Sequence, residues 1–529
     1  MTALSAPPIL SCAEAGRFEA RLFQGEEAAE WAAMQRAGRA VGAAVLRDFE
    51  VLGPFPAAGR LLVLVGKGHN GGDALIAAHE ILRQHPEATA VVAFLFGERS
   101  LRPLAQRAWR ELAQELGSRA SARSLNDWAG PAARYDVSLD GVFGFQFRPP
   151  LPAAVAAALR RANGLPVRLR AAVDLPSGLN DPAAFRADFT YATGILKAPL
   201  LDCPAAGRVL FIDLGFFSPT RRPADPAGSD RVLTPAILAP LGALRPSRSD
   251  KRSYGHLLIL GGSRQYPGAV LMNALAALHS GAGLVTVFVP ASLAPGFAAR
   301  APEAMWVGWP ETPSGSLALK GLSLLQERLK RATAIALGSG MSRDPETLVL
   351  AREIAAQVRI PLLLDADALQ PELVAAAQGP LVLTPHAGEF LRIAPRASLR
   401  TFCARTGATV ARKGPVTQIC TGLAPAGQSA RSAAERVYHS FFGGPVLARG
   451  GSGDILAGLV GGQLAQAGAE PGAGGKAKAT ALLGAVCRGV VWHGLAADAL
   501  ARARGETAVS VTALIDCLPV ALRAATATV

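Results

Sequence analysis

Arg449-Gly450-Gly451-Ser452-Gly453-Asp454 runs directly into Ile455-Leu456-Ala457-Gly458. Glycines leave successive backbone N–H groups open to an anion. The apolar run behind them predicts a helix over 454–467, whose positive end points at the same place. Asp454 then stands in its first turn, a carboxylate beside an anion hole. That placement suits a general base aimed at a hydroxyl next to a transferring phosphoryl group. Read alone, the turn favours an ordinary tight bend with an aspartate helix cap. Its companions shift the balance.

Upstream, strand and helix signals alternate. Apolar runs at 257–260, 284–289, 334–337, 362–364 and 381–383 predict buried strands, and 269–280 predicts a helix. These strands end in Gly261-Gly262-Ser263, Gly338-Ser339-Gly340, Asp365 with Asp367, and Thr384-Pro385-His386-Ala387-Gly388-Glu389. Lys413-Gly414 precedes a further predicted strand, 417–420, and is placed to meet phosphate. His386 alone is a structural histidine, and Asp365 and Asp367 alone are turn residues. Together, at the carboxyl ends of successive strands, they mark the ligand crevice of an open α/β sheet.

The first part of the chain repeats the pattern with different motifs. Residues 14–49 read as helical, with Gly25, Gly38 and Gly42 as the breakers. Strands are predicted at 61–65, 91–96, 137–139 and 171–173, and helices at 73–83 and 101–116. The first strand enters Gly66-Lys67-Gly68-His69-Asn70-Gly71-Gly72-Asp73, a glycine turn without the GxGxxG spacing. Asn70 and Asp73 add oxygen donors suited to a hard cation or a ribose. Two more strand ends carry carboxylates: Leu139-Asp140-Gly141 and Val173-Asp174-Leu175-Pro176-Ser177-Gly178. Between the halves, residues 218–228 (SPTRRPADPAG) read as a connection, and a domain boundary is expected near 225.

Composition narrows the classes. Of 529 residues, half are hydrophobic and 18% charged, so two or three packed domains are expected rather than disorder. The net charge is +14, but the arginines are scattered and no basic block alternates with aromatics, so no nucleic-acid surface is expected. The six cysteines form no CxxC pair, so neither a zinc site nor a disulfide framework is expected. The N-terminus has no signal-peptide pattern, and the apolar stretch 479–500 is interrupted by Arg488 and His493. A cytoplasmic protein with no membrane contact is expected, and the apolar fraction permits the homo-oligomer we expect.

The ordered text Tyr254-Gly255-His256, Tyr266-Pro267-Gly268-Ala269, Ser280-Gly281-Ala282-Gly283, Leu364-Asp365-Ala366-Asp367, Thr384-Pro385-His386, Lys413-Gly414 and Gly451-Ser452-Gly453-Asp454 covers about 251–511. This segment resembles the ADP- or ATP-dependent NAD(P)H-hydrate dehydratases, a branch of the ribokinase-like fold. The resemblance implies phosphoryl transfer to the hydroxyl of a hydrated nicotinamide ring, then elimination. It implies Asp454 as the base. Gly450, Gly451, Ser452 and Gly453 would hold the phosphate, and Lys413, Gly414, Pro415, Val416 and Thr417, with Gly453, would contact ADP or ATP carried with Mg²⁺. Ala269, Gly340, His386 and Asp454 would line the hydrate. One departure is Phe442-Gly443-Gly444-Pro445, where the family often has Asn-Pro-Gly.

Residues 14–218 resemble the NAD(P)H-hydrate epimerases, on the turns above together with 34–38 and 190–197. That resemblance implies interconversion of R and S hydrates at ring carbon six, supplying the S form that the dehydratase half would take, with K⁺ held by Asn70, Asp140 and Ser177. The hydrate would meet His69, Asn70, Gly71, Gly72, Asp73, Gly144, Phe145, Gln146, Phe147, Arg148, Pro149, Pro150 and Asp174, with Asp174 moving the proton. His69 replaces the usual Asn, and Ala74 the usual Gly. The expected architecture is an N-terminal Rossmann-like three-layer αβα domain, 1–225, followed by a ribokinase-like α/β domain, 226–529. The expected substrates are hydrated NADH and NADPH (NADHX, NADPHX). A vitamin-alcohol kinase of the same fold, or an N-terminal half that only binds dinucleotide, are the alternatives.

Overall fold

The computed structural model describes residues 4, 6–124, 134–217, 229–423, 434–469 and 475–527. Over these residues the chain divides into two compact units, Pro7–Val232 with Arg502–Gly505, and Leu233–Ala501 with Glu506–Val529 and Met1–Ala6. The boundary expected near 225 lies outside the described residues.

In the first unit seven strands form one parallel sheet, in the order Ala120–Arg123, Thr89–Phe94, Arg60–Val65, Tyr135–Gly141, Val167–Val173, Phe189–Thr193 and Arg208–Ile212. Alternate residues of Arg60–Val65 serve opposite faces. Leu61, Val63 and Val65 enter a core with helices Glu27–Phe49, His69–Gln84 and Pro103–Leu116, while Leu62 and Leu64 pack with helix Ala153–Gly164. Helices on both faces are what a near-continuous apolar strand requires. The helix expected over 14–49 is two helices, Cys12–Phe23 and Glu27–Phe49. The break falls where Gln24 and Gly25 take positive φ, 52° and 78°, which ends a helix in the left-handed region. The helix expected from Asp73 begins at His69 instead. Its first turn is tightly packed: a Cβ on Gly71 would lie 2.5 Å from the Gly66 carbonyl oxygen, and one on Gly72 2.7 Å from Met34 Sδ, so only glycine fits there without a shift.

In the second unit the sheet runs Val437–Ser440, Thr417–Thr421, Thr409–Arg412, Leu381–Leu383, Leu362–Leu364, Ala334–Leu337, His256–Leu260, Leu284–Pro290 and Met305–Trp309. The pairings are parallel except the two that involve Thr417–Thr421. Helices Ser452–Ala469 and Pro267–His279 cross closely, since a Cβ on Gly458 would meet the Asn273 carbonyl oxygen at 2.1 Å. Among the described residues one helix, Ala477–Arg504, is long and apolar enough to cross a membrane, and 78% of its apolar window is buried inside the protein.

Candidate functional site

In the second unit the quoted turn opens helix Ser452–Ala469, placing Asp454 in the first turn. Gly451 needs its positive φ of 97°, and a side chain there would collide with Met272 at 2.6 Å. Above Gly450 there is open space. The turn is fastened from below: Ser452 Oγ donates to the carbonyls of Leu447, at 2.7 Å, and Arg449, at 3.0 Å. The departing segment Phe442–Pro445 is held as well, with the Gly443 N–H donating to Asp498 Oδ1 at 3.1 Å.

Three strand ends converge on this turn. Asp365, at the end of Leu362–Leu364, accepts from Thr384 Oγ1 at 2.8 Å and from Lys413 Nζ at 3.0 Å. Lys413 also lies 3.8 Å from Glu389 Oε2, and a Cβ on Gly453 would stand 3.2 Å from its Nζ. The pull of Asp365, then of Glu389 and Asp454, lifts the Lys413 ammonium above its usual range although burial opposes this. Burial, with the charge of Asp365, pushes the Asp454 carboxyl up to about 6, against a hydrogen bond from Ser339 and the charge of Lys413. Ser339 in turn accepts from Asn273 Nδ2 at 2.9 Å. His386 caps helix Ala387–Ile393 and is bridged to Lys413 through the backbone. Gly340 abuts Ala269, where a Cβ would fall 2.9 Å from the alanine's own. Ala269, Gly340, His386, Lys413, Gly453 and Asp454 are therefore tied to one another by contact or charge. Gly414, Pro415 and Val416 form the turn that leads into strand Thr417–Thr421.

His493 went unmarked in the sequence except as a break in an apolar run. It lies buried on helix Gly475–Arg504. Burial pushes its imidazole down to about 4, opposed by the Ser452 backbone beside it. A single histidine in an apolar helix carries no signal of that contact.

The first unit holds a cavity of about 680 Å³ at the carboxyl ends of its central strands. His69, Asn70, Asp73, Gly144, Phe145, Gln146, Phe147, Arg148, Pro150 and Asp174 line it. Gly71 and Gly72 lie beneath, packed inside the first turn of the helix, and Pro149 is not among the lining residues. Strands Arg60–Val65, Tyr135–Gly141 and Val167–Val173 are neighbours, as the convergence of their ends requires. Asp140 is fully buried. Its Oδ1 accepts from Ser177 Oγ at 2.7 Å and Val142 N–H at 3.2 Å, and its Oδ2 from Ser177 N–H at 2.7 Å. Phe143 N–H donates to Ser177 Oγ at 2.8 Å, and Asn70 Nδ2 donates to the Phe143 carbonyl at 2.9 Å. Asn70, Asp140 and Ser177 thus meet around one loop. Burial pushes the Asp140 carboxyl up to about 6, with the Ser177 and Val142 hydrogen bonds opposing.

Asp174 has a φ of 66°, in the left-handed region that Asp tolerates better than most residues. Its Oδ1 takes a short hydrogen bond from Lys197 Nζ, a lysine only 1% exposed. Sequence reasoning did not single out Lys197, because 23 residues separate the pair. His69 Nε2 stands 3.6 Å from Glu30 Oε2.

Residues 257–520 match the family described as NAD(P)H-hydrate dehydratase, and residues 31–198 the family described as YjeF-related protein N-terminus. The chain is 37% identical to the bifunctional NAD(P)H-hydrate repair enzyme Nnr of Gloeobacter violaceus, over 95% of each chain. It is 34% identical to that of Moorella thermoacetica, over 93% of this chain and 92% of the relative. A ribokinase-like superfamily protein from Enterococcus faecalis aligns over 57% of this chain and 99% of its own, with 28% identity and a TM-score of 0.46. The architecture is α/β throughout, as expected from the sequence. At this identity over this length, the chain belongs to the bifunctional NAD(P)H-hydrate repair enzymes, with an epimerase domain followed by a dehydratase domain.

Proposed function

We propose that Asp454 removes the proton from the hydrate hydroxyl as a phosphoryl group arrives from ADP or ATP, and that Asp174 moves the proton in the epimerase cavity. The observation that carries the first assignment is Asp454 at the anion-binding turn, bonded to Ser339 and facing Lys413. A carboxyl near 6 is largely ionised at neutral pH yet more basic than an exposed aspartate, as a general base requires. Gly450, Gly451, Ser452 and Gly453 direct backbone N–H groups and a helix N-terminus at the transferring phosphate. Lys413, Gly414, Pro415, Val416 and Thr417 edge the nucleotide. Ala269, Gly340 and His386 shape the place for the nicotinamide ring. Dividing the protein near residue 225 would separate the two activities.

Among the described residues no group of three or more His, Cys, Asp or Glu side chains is placed to hold a metal ion. Asn70, Asp140, Ser177 and the Phe143 carbonyl instead offer hard oxygens with one formal charge, which fits a monovalent cation. K⁺ there would hold Asp140 ionised and fix the loop 140–144 against the substrate. Mg²⁺ would come with the nucleotide. Asp365 and Asp367 already raise the Asp454 carboxyl, and a divalent ion nearby would offset that surplus negative charge. NADHX and NADPHX are the substrates, and the six free thiols fit a cytoplasmic location.

The test is a coupled assay with purified protein, Mg²⁺ and hydrated NADH, run with ADP and with ATP in turn. Recovery of reduced-nicotinamide absorbance with at least one donor is expected. A stable phosphorylated product without that recovery would instead indicate a small-molecule kinase.

A further inference from the structure

Glu19 has no part in the reading above, yet it lines the cavity that holds Asp174. It comes from helix Cys12–Phe23, ahead of the span 31–198 matched by the family. Three other elements bring ionisable groups to the same wall: Glu30 on Glu27–Phe49, Asp73 on His69–Gln84, and Lys197, bonded to Asp174. The remaining charged or ionisable groups lining the cavity are Lys67, His69, Arg102 and Arg148. Asp73 Oδ1 is sealed from solvent without a hydrogen-bond partner. Burial, then the charges of Asp174 and Glu19, pushes its carboxyl well above the usual range, with Lys197 opposing. Burial pushes Glu19 up to about 7, with Lys197 opposing and Asp174 and Glu30 adding to the rise. An acid–base group must gain and lose a proton near neutrality, and this shift moves Glu19 into that range.

We propose that Glu19 is a second proton-transfer residue of the epimerase centre, paired in function with Asp174. The inference rests on the reading that this half epimerises the hydrate. The hydroxyl at ring carbon six sits on a carbon bonded to the ring nitrogen. Protonated Glu19 delivers its proton to that hydroxyl as the C–O bond breaks. The oxygen leaves with the bonding pair as water, and the nitrogen lone pair closes a C=N bond. Water then adds to the other face of carbon six, the C=N pair returns to nitrogen, and the surplus proton passes to the Asp174 carboxylate. One water leaves and one enters, nothing is oxidised or reduced, and exchange with solvent returns a proton to Glu19 and removes one from Asp174 before the next turnover in the same direction. The reverse epimerisation exchanges the two roles.

The test uses the full chain, an R and S mixture of hydrated NADH, and the nucleotide donor, with each epimer followed over a range of pH. Consumption of the S form reports an intact fold and an intact dehydratase. In Glu19→Gln, R consumption should fall by about 100-fold or more while S consumption is unchanged. The wild-type pH limb near 7 should vanish, and Glu19→Asp should restore it at a shifted position. Glu19→Gln with the wild-type R rate would overturn the proposal, as would a slowed rate whose pH limb is retained. A wild-type chain that converts R no faster than buffer alone would overturn the epimerase reading, and this proposal with it.

Discussion

Lys413 Nζ donates to Asp365 Oδ1 at 3.0 Å, and the same ammonium stands against Gly453 in the turn that opens helix Ser452–Ala469. One cation thus offsets Asp365 and Asp454 together. Lys413→Met should raise the Asp454 carboxyl further, because the charge of Asp365 is then unopposed. With Asp454 as the proposed base, which must be ionised to work, dehydratase activity should fall on the acid side of about 6 in the wild type. In the variant that limb should move alkaline, and KM for the nucleotide should rise. A pH profile of kcat/KM checks both.

Asp174→Asn leaves Lys197 buried without its carboxylate. Breaking one partner of a buried pair costs about 3–5 kcal/mol, so the N-terminal unit should melt markedly lower. Adding Lys197→Met should recover most of that stability but none of the epimerisation. Thermal melts of the single and double variants separate the two effects.

Ser177→Ala removes the hydroxyl that donates to Asp140 and accepts from the Phe143 N–H. Leaving those groups unpaired costs about 1–3 kcal/mol. The wild type should melt higher in potassium chloride than in tetramethylammonium chloride, whose cation is too large for the site. In Ser177→Ala that difference should shrink.

His493 is neutral in the fold down to about 4, whereas a solvated histidine charges near 6.5. The unfolded chain therefore binds more protons between those values. Stability should be fully present above 6.5 and fall as the pH drops towards 4, by about 3 kcal/mol in total for this group. Replacing His493 with Gln should flatten that part of the curve in chemical denaturation. Because the Ser452 backbone lies beside it, KM for the nucleotide should also rise.

Local pattern explains what the sequence made legible. Apolar runs such as Leu362–Leu364 and Leu381–Leu383, short and bounded by polar or turn residues, read as buried strands, and their polar ends fall at the crevice by geometry. What stayed hidden depends on packing between distant segments. Gly71 and Gly72 read as part of a glycine turn but lie in helix His69–Gln84, packed against Gly66 and Met34 so closely that no side chain fits without a shift. Lys197 acquires meaning only once a strand end brings Asp174 to it, and Glu19 only once the fold sets it in the wall of the cavity that Asp174 lines. His493 looked like an interruption in an apolar helix, and its partner lies in the turn at Ser452.

The most direct test follows the R and S epimers of hydrated NADH separately, in the presence of the nucleotide donor, for three proteins. The wild-type chain should consume both epimers. Asp174→Asn should consume S at the wild-type rate and leave R to its uncatalysed decay, and Asp454→Asn should restore neither while still interconverting them. If Asp454→Asn regenerates NADH at the wild-type rate, or Asp174→Asn clears R as fast as the wild type, the assignment of two chemistries to these two carboxylates is wrong.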